Sequence, residues 1–219
     1  MTTEPKEWQW QPLPPKVNVE TPEVLKKALE AQQYLSELKG ISHTIPNQGI
    51  LLNTLPIQEA RDSSEIENIV TTSDALYRAD VEKEKRIDQT TKEVQRYAVA
   101  LNEGFGRIQK SGFIRINDII AIQKTLEDND AGIRSLPGTT LSNPATGEVV
   151  FVPPQHKSVT LKALDNLVQY MNNDELSDVH PLIKMTVIHF QFESIHPFYD
   201  KNGKIPDMSW IIQDSNSDR

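Results

Sequence analysis

The run Ile195-His196-Pro197-Phe198-Tyr199-Asp200-Lys201-Asn202-Gly203-Lys204 concentrates an imidazole, a carboxylate, an Asn-Gly turn and two lysines within a few residues. An imidazole titrates at roughly 6.5 when unperturbed, so His196 can take a proton from an attacking hydroxyl and return it. Asp200 offers a hard oxygen to magnesium. A loop through Asn202-Gly203 can adopt positive φ and aim successive backbone N–H groups at one anion, which Lys201 and Lys204 would reinforce. A base, a metal ligand and a phosphate nest together point to chemistry on a nucleotide phosphate.

Such a base needs a rigid mount, and the segment from His180 to Ile195 supplies one. Pro181 suits a first helical turn, and Leu182, Ile183, Met185, Val187, Ile188, Phe190, Phe192 and Ile195 wrap nearly all the way round, as in a helix buried among others. His189, Glu193 and His196 do not have the His-Glu-x-x-His spacing of a zinc site, and a lone His189 reads as a core histidine.

Upstream, Trp8, Trp10, Pro12, Pro14 and Pro15 predict an extended arm docked on the body by its aromatics. Thr21-Pro22 opens a helix that Gly40 should end, and a second helix is expected from about Pro56 to Val70. In that helix Ser63 and Glu67 lie four apart, so the hydroxyl can orient the carboxylate above it. A long helix over 82–109 carries Val94, Tyr97, Ala98, Leu101, Phe105 and Ile108 as its apolar stripe, and Gly112 breaks it. Asn117 is the expected cap of the next helix, which Ile119, Ile120, Ala121 and Leu126 continue. From Gly132 the texture changes: Thr139 to Ser142 and Glu148 to Val152, around Asn143-Pro144-Ala145-Thr146-Gly147, read as two short strands and the one β element. Pro153-Pro154 stops the second strand, and Val159, Leu161, Leu164, Leu167, Val168 and Met171 then predict a helix ending at Asn172-Asn173.

The chain has 219 residues, 37% of them hydrophobic and 25% charged, which suits a globular domain with a real core. With 23 basic against 31 acidic residues the net charge is -8, so no general attraction to nucleic acid or to an anionic membrane is expected. There is no apolar signal core at Met1 to Trp10 and no run of apolar residues long enough for a membrane span, so a cytoplasmic location is expected. Zero cysteines exclude disulfides and thiolate chemistry.

The His196 loop resembles the signature of the Fic/Doc family, His-x-Phe-x-Asp-Gly-Asn-Gly-Arg-x-x-Arg, in which His196, Phe198, Asp200, Asn202 and Gly203 match. Ser63-Ser64-Glu65-Ile66-Glu67-Asn68 is similar to the family's inhibitory signature, Ser/Thr-x-x-x-Glu-Gly/Asn, placed ahead of the core as in the subclass with an N-terminal inhibitory helix. The resemblance implies a mainly α fold, a Fic-like helical bundle with a β-hairpin flap over the active site. It divides the chain into a 1–80 region with the inhibitory helix, an 81–204 core and a 205–219 tail. The implied activity is protein adenylyltransfer, AMP from ATP to a serine, threonine or tyrosine hydroxyl of a target held on the flap edge. A homo-oligomer is compatible with this.

In that scheme His196 is the base, Asp200 holds Mg²⁺, and Lys201, Asn202, Gly203 and Lys204 line the nucleotide's phosphates, while Phe198 packs inward. Ser63, Glu67 and Asn68 form the inhibitory element, whose glutamate pairs with the signature's last arginine. Three positions depart from the pattern. Lys201 replaces a glycine, at a cost of roughly 1–2 kcal/mol if φ is positive there. Lys204 keeps the charge of arginine without its fork, and Asp207 puts an anion where the second arginine belongs. The resemblance stops at Lys204: Ile205 to Arg219, with Pro206 and Trp210-Ile211-Ile212, replaces an apolar closing helix, as in a truncated or degenerate member whose earlier helices expose apolar surface. The departures favour a non-catalytic nucleotide- or protein-binding module as the alternative, and a DNA-binding regulator is the weaker third reading.

Overall fold

The computed structural model describes residues 5–42, 44–45, 49–66, 89–143, 145–200, 202 and 205. Helix α1 runs Pro22–Ser42 and begins where expected, with the Val24 N–H on Thr21 Oγ1 at 3.4 Å. It passes through Gly40, because a right-handed glycine costs a helix only about 1 kcal/mol and does not stop it. Its end is set instead by the Ser42 hydroxyl on the Lys39 carbonyl and by Thr44 on the Ile41 carbonyl. Helix α2 spans Gly49–Ile66, a turn and more earlier than predicted. Pro56 therefore lies inside it, forgoing a backbone bond rather than opening the helix. The predicted end at Val70 falls outside the described residues.

Helix α3, Gln89–Ser111, buries Val94, Tyr97, Ala98, Leu101 and Ile108 as the apolar stripe required, and α2 packs on it through Ala60 and Ser64. The Gly112 N–H closes α3 on the Ile108 carbonyl at 2.7 Å, with φ 74. Helix α4, Ile116–Glu127, begins before the predicted Asn117 cap. Its cap is Arg115, whose N–H donates to Asp118 Oδ2 at 3.0 Å, so a carboxylate at the third position fastens the first turn. Helices α5, Lys157–Asn172, and α6, Pro181–Ile195, complete the core around Leu164, Leu167, Tyr170, Ile188, Phe192 and Ile195.

The predicted hairpin is present as Leu141–Ser142 (β2) and Val149–Val152 (β3), turned through Gly147 at φ 70. It has a third member the sequence did not announce. Lys6–Glu7 (β1) pairs parallel to β3, with Lys6 opposite Phe151 and Glu7 opposite Val152, giving the order β1-β3-β2. The arm is docked as expected and also supplies a strand. The Trp8 N–H extends the ladder to the Val152 carbonyl at 2.8 Å, Lys162 lies over the Trp10 ring, and Asn166 on α5 exchanges two hydrogen bonds with the main chain of Leu13.

Helix α6 is less uniformly buried than its composition implies. Ile183, Ile188, Phe192 and Ile195 face the core, while Phe190 is 70% exposed and Lys184 is buried with Nζ on Asp174 at 2.7 Å. Apolar exposure is also found on α1, at Tyr34, Leu35, Leu38 and Ile41. Among the described residues no helix is long and apolar enough to cross a membrane.

Candidate active site

Helix α6 brings His196 to the edge of the core. Its first turn is fixed by Pro181 and by the Leu182 N–H on His180 Nδ1 at 3.3 Å. Its last turn closes with the His196 N–H on the Phe192 carbonyl at 2.9 Å. There the chain turns left-handed, with φ 47 and ψ 62 at His196. Glycine is the usual residue for such a turn, and a side chain costs roughly 1–2 kcal/mol. Among the described residues one other non-glycine residue, Asp128 at the end of α4, has a positive φ, of 54.

Arg134 braces that turn. Its side chain is 2% exposed, and among the described residues its partners are main-chain carbonyls. Nε donates to His196 O at 2.6 Å, and Nη2 to Pro154 O at 2.5 Å and Ile195 O at 3.3 Å. Its own N–H reaches Pro197 O at 3.0 Å. The last carbonyls of a helix lack intrahelical donors and carry its negative dipole end, so a cation suits them. Burial still pulls the guanidinium below its ordinary pKa.

Burial, reinforced by the Arg134 charge and offset by Asp200, holds the His196 imidazole down at about 4 instead of 6.5. Nδ1 is buried with no hydrogen-bond partner among the described residues. The ring is therefore neutral at pH 7, the form a base needs. The native state refuses a proton that the unfolded chain accepts below pH 6.5, so this group's contribution is complete above 6.5 and is lost as pH falls toward 4. We expect the urea midpoint of the protein to drop more between pH 7 and pH 5 than that of His196→Gln. Parallel declines in the two proteins would contradict this assignment.

Beyond His196 the loop folds on itself. Phe198 is fully buried, its ring centroid 6.3 Å from that of Phe192. Asn202, 2% exposed, accepts the Phe198 N–H at 2.8 Å on Oδ1 and donates Nδ2 to the Phe198 carbonyl at 2.9 Å. Its amide is thus engaged in shaping the loop. Asp200 is exposed. The Tyr199 hydroxyl accepts the Ser135 N–H at 3.0 Å, which with a weaker bond from Leu136 lowers the phenol's pKa and ties the loop to the segment leading into β2. Gln155 closes the hairpin base, accepting from Gly138 N–H and donating to the Thr139 and Pro153 carbonyls. Lys201, Gly203, Lys204 and Asp207 lie outside the described residues.

Comparison with known proteins places this geometry. Residues 25–106 match the Fic/DOC family N-terminal profile, and residues 111–206 match the Fic/DOC family profile. The chain belongs to the Fic/Doc family. A Fic domain containing signaling protein from Bacteroides thetaiotaomicron superposes with a TM-score of 0.70 at 20% identity, over 84% of this chain and 72% of that one. A Fic family protein from Desulfovibrio desulfuricans gives 0.67 at 21% identity, over 93% and 60%. Fic-1 from C. elegans gives 0.62 at 15% identity, over 89% and 58%. This chain therefore spans about three fifths of the length of the last two.

Within the Fic frame, the structure gathers His196, Asp200 and Asn202 on one loop below the flap's base. The Ser63 hydroxyl donates to Glu59 Oε1 at 2.7 Å, one turn back along α2, whereas the predicted partner Glu67 is one turn ahead. Glu67 and Asn68 lie outside the described residues. Arg134 and Tyr199 escaped the sequence reading. The only hint of Arg134 was a cation beside Ile133 between a helix and a hairpin, and nothing in that spacing names carbonyls 20 and about 60 residues away as its partners.

Proposed function

We propose that this Fic protein transfers AMP from ATP to a serine, threonine or tyrosine hydroxyl of another protein, restrained by Ser63, Glu67 and Asn68 and weakened by Lys201, Lys204 and Asp207. The observation that carries the reading is His196, mounted on a buried helix end and kept unprotonated by its surroundings. The target's hydroxyl oxygen attacks the α-phosphorus while His196 accepts the hydroxyl proton. The bond from that phosphorus to the β-phosphate oxygen breaks, releasing pyrophosphate and leaving AMP on the protein.

Among the described residues there is no group of His, Asp or Glu side chains able to hold a metal unaided. One exposed carboxylate, Asp200, nevertheless fits Mg²⁺, which is commonly held by one or two carboxylates together with substrate phosphates. When bound with ATP, the ion supplies charge neutralisation for the phosphates. The flap is suited to hold a target segment by main-chain pairing. Here β1 already covers the outer edge of β3, so β2 carries the hairpin's open edge.

The departures at Lys201, Lys204 and Asp207 favour a second reading, a Fic-like module that binds nucleotide or protein without transfer. Incubation with Mg²⁺, α-labelled ATP and cell lysate separates the two. Wild type, Glu67→Gly, His196→Ala and the triple variant Lys201→Gly/Lys204→Arg/Asp207→Arg form the set. The transferase reading expects label on protein with wild type or more with Glu67→Gly, lost with His196→Ala, and increased in the triple variant. A folded set with no label in any member would favour the binding module.

A further inference from the structure

Resting on the transferase reading above, we propose that Arg134 is a positioning residue for that reaction: its buried guanidinium fixes the His196 turn and joins it to the flap. Its bonds bracket the base, to the carbonyl before it at Ile195, its own carbonyl, and the carbonyl after it at Pro197 through the Arg134 N–H. The same side chain reaches Pro154, where β3 leaves the flap. One planar fork thus sets where the imidazole sits relative to the hairpin that would carry the target. A lysine has no such fork and serves one carbonyl direction well at most.

The placement also acts on charge. Arg134 and Asp200 are the charged groups among the described residues whose fields reach the imidazole, the first opposing its protonation and the second favouring it. A side chain that served packing alone would leave the charge of His196 untouched and would not distinguish lysine from glutamine.

The full chain is compared as wild type, Arg134→Lys and Arg134→Gln. Both variants are expected to lose about 10²-fold in kcat with the KM for ATP within a factor of about two, since a small misplacement of a reacting group costs about that much. Amide exchange is expected to quicken at His196 and Arg134, while Val94 and Leu101 of α3 stay protected. By NMR, the His196 imidazole midpoint rises in Arg134→Gln and stays near the wild-type value in Arg134→Lys. Unchanged kcat and unchanged His196 protection in Arg134→Lys overturn the proposal, as does a loss of protection spread evenly through α3. Absence of transfer in wild type, with quickened exchange in both variants and a moved midpoint in Arg134→Gln, sinks the transferase reading and leaves Arg134 as the residue that positions His196.

Discussion

His196→Gly is expected to stabilise the protein by about 1 kcal/mol while abolishing most transfer. At φ 47 the histidine sits in a conformation that costs a side chain roughly 1–2 kcal/mol and glycine almost nothing. Part of that gain is returned through the greater freedom of glycine in the unfolded chain. Removing an imidazole whose Nδ1 is buried without a partner among the described residues adds to the stabilisation. For a chain of this length 1 kcal/mol corresponds to about 2–4 °C in Tm. Loss of a general base is worth roughly 10²–10⁴ in rate, so the same variant should lose label transfer by that factor. His196→Ala is the companion: it also sheds the imidazole but keeps a side chain in the left-handed turn, so it should melt below His196→Gly. A lower Tm for His196→Gly than for His196→Ala would refute the claim that strain is stored at this turn.

Much of the fold was legible because its helices bury local stripes. Val94, Tyr97, Leu101 and Ile108 recur at helical spacing and need nothing distant to explain them. The hairpin was legible from β-branched residues around a turn containing Gly147. What the sequence did not announce about β1 depends on contacts far along the chain. Two residues cannot display a strand's alternation, so β1 is defined only by its partner at Phe151 and Val152. Lys184, on an otherwise apolar helix, is buried with its Nζ on Asp174 and over the Tyr170 ring.

The site divides in the same way. The helix end and the base followed from local order along the chain, and the inward Phe198 from the resemblance. Arg134 did not, since a guanidinium that pairs with carbonyls leaves no acidic partner in the sequence to betray it. Asn202 was placed among the phosphate contacts by resemblance, and the structure gives its amide a task within the loop. These two residues make the active loop a self-supporting object: one braces it from outside, the other from within.

That internal brace carries the second large effect. Phe198→Ala is expected to cost about 3–5 kcal/mol, because the ring is fully buried beside Phe192 and a cavity there cannot readily collapse against a helix end. Phe198→Leu, nearer in volume, should cost about 1.5 kcal/mol. Asn202→Ala leaves both the N–H and the carbonyl of Phe198 without their amide partner in a buried place, a loss of about 1–3 kcal/mol. All three costs should appear in urea melts without nucleotide, since the brace is made by the protein alone. If Phe198→Ala and Asn202→Ala melted like wild type in the absence of ATP and differed only in its presence, the loop would be shaped by its ligand. An order of Phe198→Ala below Asn202→Ala below wild type without ATP is what a preformed loop requires.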